Sequence, residues 1–444
     1  MAIGEKWSGP LVWEGRSMGS HAVVLGGSMG GLLAARALVG HYERVTVLDR
    51  DSLPAGAEHR RGVPQGKHFH TVLLAGAEVL GRMFPGLVEE FVAEGVPRSN
   101  FTREATFVLN GHRMVRTDTG AQAIQLTRPM LEGTIRARVA SYPGVKVVDG
   151  QEVVEPVFDG ARVTGVRTSA GVVDADLVVD ALGRGGRSRR WLAEWGFPVP
   201  VEDTIEIDTM YVSRLVRPKA PYRDKLVLVG PVPGRPNGFA FAAQEGGRWM
   251  VTVVGMAGDH PPTDEDAFLA FLRRSAPPDV FDAIATAEPL TPLRTHRFPA
   301  SLRRRYEGLT RFPEGLLAFG DAVCSFNPIY GQGMTVAALE AEALRRCLRD
   351  GGERDLARRF FRAAAKIVDP VWQLNAGGDL ALPEIPGHRP LVTRAVNRYV
   401  ARLQRVAGHD PVVATAFVRT IGLLDPPSAM FAPRVLARVL LGGR

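Results

Sequence analysis

The chain has 444 residues, and its 55 lysines and arginines against 47 aspartates and glutamates give a net charge of +8. That length allows two or three domains with a sizeable core. The positive charge comes mostly from dispersed arginines. A basic stripe interleaved with aromatic residues is absent from the sequence, so nucleic-acid binding is not predicted. The densest run, three arginines at residues 303–305, is expected to be a solvated turn. The sequence contains no run of ~18 apolar residues, so a membrane span is not predicted.

The N-terminus and the cysteines indicate the compartment. Residues 1–19 precede the first predicted strand and are expected to form a flexible lead, without the apolar segment of a secretory signal. Met18 offers an alternative start. Only two cysteines occur, Cys324 and Cys347, which suits a reducing cytoplasm. Cys324 is expected to be a small buried side chain.

The first predicted unit is a strand, a glycine-rich turn and a helix. Residues 21–25 are mostly apolar and predict a buried parallel strand, and residues 32–38 predict a helix. The intervening glycines allow a tight turn, and the helix N-terminus offers free N–H groups to a pyrophosphate. In the G-x-G-x-x-G frame the middle glycine is replaced by Ser28, so the loop is expected to lie slightly differently around the phosphate.

A second strand follows and ends in an acid. Residues 45–48 predict this strand, and Asp49 lies close to the ~20-residue offset expected for a carboxylate that binds a ribose hydroxyl. A glycine fingerprint alone is weak evidence, and a bare turn is the alternative. The strand, helix and acid together predict dinucleotide binding.

A further motif lies late in the chain. Residues 315–322 predict a buried strand that ends in Gly320-Asp321, and residues 328–333 contain a glycine-marked helix start. Taken alone, Asp321 is well explained as a helix cap at an ordinary turn. With the N-terminal unit it favours a second contact to one extended cofactor.

These motifs resemble the flavoprotein monooxygenases of the para-hydroxybenzoate hydroxylase superfamily, and residues 175–184 look like the family's central strand and turn. The resemblance implies that the cofactor is FAD and that Asp321 holds its ribityl chain. It also implies that the helix start at residues 331–334 faces the flavin's pyrimidine end. Arg128 is expected to reach the cofactor.

Residues 60–70 and 326–334 resemble a narrower branch, the polyether epoxidases of monensin and lasalocid assembly, and the likeness runs from about residue 21 to 345. The same branch resembles a flavoprotein that forms a spirotetronate ring by [4+2] cyclisation, with FAD in a structural role. The resemblance implies cofactor contacts from Gly26, Ser28, Met29, Gly30, Gly31, Asp49, Arg50, Arg61, Gln65, His68, Arg128, Gly183, Asp321, Pro328, Gly331, Gly333 and Met334.

Two groups of these residues have alternative interpretations. His68 and His70 would face the same way on a strand, as metal ligands do, but no cysteine or carboxylate cluster accompanies them, so no metal site is predicted. We expect them in a loop near the flavin. The arginines at 184, 187, 189 and 190 are either cofactor neighbours or a solvated basic face.

The predicted fold is α/β, with a Rossmann-type FAD-binding domain, an inserted antiparallel-sheet substrate domain and a helical C-terminal region. The FAD-binding domain is assigned to residues 20–96, 128–196 and 297–346, the substrate domain to 97–127 and 197–296, and the helical region to 347–444. Asn110-Gly111 predicts a hairpin turn, and residues 264–274 predict a helix capped by Thr263. The helical region either packs on the core, which we favour, covers the substrate channel or forms an oligomer contact.

Three functions follow from the resemblance. The first is a monooxygenase that epoxidises or hydroxylates a hydrophobic, polyketide-like intermediate through a flavin C4a-hydroperoxide, with dioxygen as co-substrate. NAD(P)H or a separate flavin reductase would supply electrons, because a second dinucleotide fold is not evident. The alternatives are a cyclase with a redox-silent FAD and a flavin-dependent isoprenoid reductase. No catalytic spacing is recognisable, and the candidate polar groups of the substrate domain are Tyr211, Arg214, Gln244 and His260.

Overall fold

The computed structural model describes residues 18–120 and 122–442, so most of the predicted flexible lead lies outside the described residues. The strands begin with a βαβ unit at the N-terminus. They are β1 (Gly19–Leu25), β2 (Tyr42–Leu48), β3 (Arg98–Asn100), β4 (Ala105–Leu109), β5 (His112–Arg113), β6 (Gln122–Ile124), β7 (Val145–Val148), β8 (Val153–Phe158), β9 (Val163–Thr168), β10 (Gly171–Asp174), β11 (Leu177–Asp180), β12 (Glu202–Arg217), β13 (Leu226–Val229), β14 (Asn237–Ala243), β15 (Trp249–Gly255), β16 (Glu288–Pro289), β17 (Arg294–Arg304), β18 (Leu316–Ala318) and β19 (Cys324–Ser325).

The helices follow one another in chain order, and the last four form the C-terminal region. They are α1 (Met29–Leu38), α2 (Leu74–Met83), α3 (Leu87–Ala93), α4 (Arg128–Ala140), α5 (Ser188–Glu194), α6 (Glu265–Arg273), α7 (Pro278–Ala285), α8 (Gly333–Gly351), α9 (Leu356–Asp379), α10 (Leu391–Val406), α11 (Pro411–Ile421) and α12 (Pro433–Leu441). Helix α6 is capped by the Asp264 carboxylate, which accepts from the Ala267 N–H, so the predicted Thr263 cap is wrong by one residue.

A five-stranded parallel sheet forms the centre of the predicted Rossmann-type unit. Its order is β18-β11-β1-β2-β7, and all four neighbouring pairs are parallel. The middle strand, β1, is buried from His21 to Leu25, as expected for a parallel sheet that is covered on both faces. The carboxyl ends of β1, β11 and β18 therefore lie side by side, and the glycine loop and Asp321 follow two of these ends.

The second large sheet carries the predicted substrate domain. Its order is β19-β17-β12-β15-β14-β13-β4-β5, with β16 paired to β12. The predicted hairpin is confirmed, since Asn110 and Gly111 have φ of 50° and 76° between paired strands β4 and β5. One neighbouring pair, β4 with β13, is parallel, so the sheet is mixed rather than wholly antiparallel. This pair joins the two separate sequence segments assigned to the domain.

The arginines at residues 303–305 do not form a solvated turn. Strand β17 includes the first two of them, and the Arg303 side chain is fully buried, with ion pairs to Glu307 and Asp369. Arg305 bonds to Asp203 and Asp369. Charge density alone could not reveal these partners, because Asp369 lies 66 residues from Arg303.

The C-terminal helices pack on the mixed sheet and wall the large cavity described below. Apolar residues at helical spacing predict helices over residues 391–406, 411–423 and 433–441; α10 and α12 have these bounds, and α11 ends two residues early. The same spacing predicts a helix over residues 355–367, and helix α9 continues past that end, through Pro370, to Asp379. Residues of α10–α12 share a core with Phe107 and Leu226 of the sheet. Among the described residues, no helix is both long and apolar enough to cross a membrane.

Candidate active site

A single cavity of about 1720 Å³ runs from the N-terminal glycine loop, under the mixed sheet, to the C-terminal helices. Pockets for one small ligand usually measure about 300–1,000 Å³. The volume therefore accommodates a large cofactor together with a second molecule. Its two ends differ in chemistry: charged groups surround the glycine loop, and the far end is lined mostly by apolar side chains, with Arg389, Arg394 and Arg398 of the C-terminal region also in the lining.

The glycine loop has the form that a phosphate-binding turn requires. A Cβ on Gly31 would lie 1.7 Å from the Gly26 carbonyl oxygen, so only glycine permits this approach. Gly26 itself has φ of +100°. A Cβ on Gly30 would meet no atom within 4 Å, because this residue opens onto the cavity at the N-terminus of α1. The turn thus leaves room for a pyrophosphate beside free N–H groups.

Ser28 departs from the glycine pattern without closing the loop. Its hydroxyl donates to Glu132 Oε2 at 2.8 Å and accepts from Arg128 Nη2 at 2.8 Å. The side chain is therefore held against helix α4. Arg128 also bonds to Glu132 at 3.1 Å and extends towards Met334. This pair links the phosphate loop to the N-terminus of α8.

The acid at the end of β2 is part of a buried ionic network. Asp49 Oδ2 accepts from the Gly27 N–H at 2.7 Å and lies 3.2 Å from Arg60. Arg60 also pairs with Asp51 at 2.9 Å and Glu132 at 2.8 Å. Burial pulls the pKa of Glu132 upward, but Arg128 and Arg60 outweigh it and hold that pKa below its usual range. The Glu132 carboxylate is therefore ionised, and its arginine partners hold it in place.

The sequence motifs did not identify Arg60 and Glu132 as site residues. They lie 72 residues apart, on different elements, so no local pattern joins them. The spacing of Arg128 and Glu132 on one helix face was an available signal.

Asp321 is exposed to the cavity, which lies between the two sheets and the helices. Burial raises its pKa, and Arg128 and Arg184 oppose that rise. Within residues 18–120 and 122–442, no protein group hydrogen-bonds to its carboxyl. A Cβ on Gly333, the first residue of α8, would lie 3.7 Å from Asp321 Oδ1. An orphaned carboxyl beside a helix N-terminus suits a bound molecule with hydroxyl groups.

Comparison with known proteins agrees with this geometry. Residues 20–350 match the FAD binding domain family, which is most of the chain. The chain belongs to this family. It is an FAD-dependent oxidoreductase. A curated relative, Protein Rv3254 of Mycobacterium tuberculosis, is 38% identical over 448 residues, covering 95% of this chain and 94% of the relative.

Solved structures share the fold at low identity. A flavoprotein/dehydrogenase from Cytophaga hutchinsonii has a TM-score of 0.67 at 15% identity, over 96% of this chain and all of that one. PqsL from Pseudomonas aeruginosa, a probable FAD-dependent monooxygenase, has a TM-score of 0.59 at 18% identity, over 90% of this chain and 99% of PqsL. The tetrameric 2-methyl-3-hydroxypyridine-5-carboxylic acid oxygenase has a TM-score of 0.60 at 18% identity, over 93% of this chain and 98% of the oxygenase.

The residues present fit FAD. The open glycine turn and Asp49 suit the pyrophosphate and ribose, and the orphaned Asp321 suits the ribityl hydroxyls. Of the predicted FAD contacts, Gly31 does not line the cavity, because it packs against Gly26 instead. The cavity lining contains Gly26, Ser28, Met29, Gly30, Asp49, Arg50, Arg61, Gln65, His68, Arg128, Gly183, Asp321, Pro328, Gly331, Gly333 and Met334. Their individual contacts to FAD remain predictions.

The far end of the cavity carries neutral polar groups among apolar ones. His68 Nδ1 lies 2.8 Å from Ser213 Oγ, which lies 2.7 Å from Thr252 Oγ1. Burial, helped by neighbouring His296 and His70, lowers the pKa of His68 to about 3. Burial and Arg128 lower the pKa of His70 to about 4. These imidazoles are uncharged at neutral pH, and the described residues contain no cluster that could hold a metal.

Of the four polar candidates in the substrate domain, Tyr211 alone lines the cavity. Arg214 pairs with Glu265 at 2.5 Å, and His260 Nε2 lies 3.1 Å from an Asp208 oxygen. Gln244 is buried and donates to the Ala243 carbonyl. The structure does not bring these three to the cavity, since each is engaged elsewhere in the sheet.

The C-terminal helices contribute a wall that the motifs did not predict. The end of α9, the segment after it and one side of α10 all line the cavity. The sequence favours simple packing for this region, and the structure shows both packing and lining. Periodicity shows which residues of a helix are apolar, but it cannot separate a core contact from a cavity wall.

Proposed function

We propose that the protein is an FAD-dependent monooxygenase that epoxidises or hydroxylates a hydrophobic, polyketide-like natural-product intermediate. The observation that carries the proposal is the continuous cavity, which joins the ionic glycine-loop end to an apolar chamber. Its volume exceeds the needs of one ligand. A molecule in the chamber would lie next to the cofactor with no barrier between them.

Bound FAD supplies redox and oxygen-activating chemistry, and the protein supplies position, electrostatics and dryness. The chamber is lined by side chains such as Phe107, Leu228, Phe239 and Val254, which favour a hydrophobic substrate and exclude water. The N-terminus of α8 beside Asp321 would stabilise negative charge on the cofactor by ~0.3–2 kcal/mol. Epoxidation needs no protein base, whereas phenol hydroxylation benefits from one.

The names of relatives in fold support an oxygenase. PqsL and the pyridine-carboxylic acid oxygenase are both named for oxygen-dependent chemistry. The motif resemblance at residues 60–70 and 326–334 favours the polyether epoxidase branch among such enzymes. Among the described residues, a second parallel dinucleotide-binding sheet is not found. Transient NAD(P)H binding or a separate flavin reductase would therefore supply electrons.

The proposal is tested by product analysis under labelled dioxygen. FAD-loaded protein is incubated with NADPH or NADH, with and without an added flavin reductase, and with 2-naphthol and a linear triene ester as probes. We expect a product that carries one oxygen atom from ¹⁸O₂ and requires reductant. Ring formation without reductant would identify a cyclase, and alkene reduction without dioxygen would identify a reductase. Either result would overturn the monooxygenase.

A further inference from the structure

The substrate end of the cavity contains a small group of buried polar side chains that the proposed function does not yet use. Tyr211 projects from β12, Tyr330 lies in the turn after β19, and Asp379 ends helix α9. Both tyrosines line the cavity, and Asp379 lies directly behind Tyr330. Tyr211 and Asp379 are more than a hundred residues apart in the sequence.

Asp379 fixes the orientation of Tyr330. The Tyr330 hydroxyl donates to Asp379 Oδ1 at 3.0 Å, and Asn327 Nδ2 donates to the same oxygen at 2.8 Å. A Cβ on the neighbouring Gly378 would lie 2.5 Å from the Tyr330 hydroxyl, so the glycine permits this packing. Because its proton points to Asp379, the Tyr330 oxygen is left with lone pairs for a hydrogen-bond donor.

Tyr211 offers the opposite half of a hydrogen-bonding pair. It is 7% exposed, and its hydroxyl has no partner among residues 18–120 and 122–442. Burial and the nearby Asp379 carboxyl raise its pKa, so it stays protonated and can donate. A buried hydroxyl without a partner is costly, which points to a group supplied by a ligand.

We propose that Tyr211 and Tyr330 form a subsite that binds a hydroxyl group of the substrate, with Asp379 as the positioning residue for Tyr330. A hydroxyl accepts from Tyr211 through its oxygen and donates to Tyr330 through its proton. An ether or a hydrocarbon satisfies at most one of these contacts. The substrate is therefore an alcohol or phenol on an apolar frame. The inference depends on the proposed function only in assigning this chamber to the substrate.

The test uses binding without turnover, so that it does not depend on the reaction. Equilibrium dialysis measures the affinity of oxidised, FAD-loaded protein for 2-naphthol, 2-methoxynaphthalene and naphthalene. We expect 2-naphthol to bind roughly tenfold to a hundredfold more tightly than the other two. Tyr211→Phe should remove most of that preference. Tyr222→Phe is the matched control, because Tyr222 bonds to Asp279 outside the cavity.

Asp379 is tested by a change in selectivity. In Asp379→Leu the Tyr330 hydroxyl loses its acceptor and can donate to an ether, so 2-methoxynaphthalene should gain on 2-naphthol. Asp379→Asn keeps an acceptor oxygen and should restore the preference for 2-naphthol. A merely structural role would weaken all three probes together. Equal affinities in the parent protein, or a preference that survives Tyr211→Phe, would overturn the subsite. A failed oxygenation test would leave these binding results unaffected.

Discussion

The two ends of the cavity hold polar groups in opposite ways. At the glycine loop, buried charges are paired: Arg60 contacts three carboxylates, and Glu132 contacts three arginines and Ser28. Away from the glycine loop, the imidazoles of the cavity wall are kept neutral by burial, as the lowered pKa values of His68 and His70 indicate. The first arrangement suits a charged cofactor of fixed chemical structure. The second suits a mostly apolar guest with few polar groups.

This difference has an energetic basis. Removing one partner from a buried ionic network leaves an uncompensated charge, so the cofactor end is intolerant of change. A neutral polar group that loses its partner costs less, so the substrate end can be altered with smaller effects. Substitutions at the two ends should therefore differ in magnitude as well as in kind.

The largest effect is expected from Gly31→Ala, at the glycine turn. Its Cβ would collide with the Gly26 carbonyl, so the turn would open and FAD binding would be lost. Gly81→Ala is the matched control, since that helical position has no atom within 4 Å of an added Cβ, and alanine should stabilise it slightly. The ratio of flavin to protein absorbance measures the outcome. Full flavin occupancy in Gly31→Ala would contradict our placement of the phosphate loop.

Glu132→Ala should destabilise the protein by about 3–5 kcal/mol, because it leaves the buried Arg60 and Arg128 without their shared carboxylate. Urea unfolding measures the change in both FAD-free and FAD-loaded protein. Glu194→Ala, which removes an exposed partner of Arg190, should leave the unfolding midpoint unchanged. Equal midpoints for all three proteins would show that the network does not hold the cofactor end.

Asp321→Ala should weaken FAD binding roughly tenfold to a hundredfold and leave the fold intact, because it removes a hydrogen-bonding group rather than core volume. FAD titration by flavin fluorescence measures the affinity, and circular dichroism checks the fold. Asp321→Asn should retain part of the affinity, since the amide can still bond to hydroxyls. An unchanged affinity in Asp321→Ala would remove this residue from the site.

The smallest effect concerns pH and the substrate end. The pKa of His70 is lowered to about 4 in the folded protein, against an ordinary 6.5, so the unfolded chain takes up its proton first. This residue's contribution to stability is therefore present above pH 6.5 and is lost as the pH falls towards 4. In urea unfolding, parent protein should lose about 1–2 kcal/mol more than His70→Gln between pH 6.5 and 5. Parallel losses would show that this imidazole is solvated.

The sequence predicted the cofactor end well because its signals are contiguous. The glycine turn, Asp49 and Asp321 each directly follow a parallel strand, and adjacent strand ends bring them together. The sequence could not show that the Ser28 side chain leaves the glycine loop open. Its position depends on hydrogen bonds to Arg128 and Glu132, about a hundred residues away.

The substrate end was predicted poorly because distant segments form it. Tyr211 was a candidate only for its residue type, and Asp379 was not considered, because a proline suggested that its helix ended earlier. Helices normally stop before proline, but tertiary packing carries α9 through Pro370. The burial of Arg303 was not predictable for the same reason, since one of its two partners, Asp369, lies on the later helix α9.

The central claim is that FAD at the charged end reacts with dioxygen to oxidise a molecule at the apolar end. The most direct measurement is rapid mixing of anaerobically reduced, FAD-loaded protein with oxygenated buffer, with and without 2-naphthol, while the flavin spectrum is recorded. We predict a transient absorbing species between the reduced and oxidised spectra. Reoxidation in one step under both conditions would contradict the claim and favour a flavin that serves only the fold.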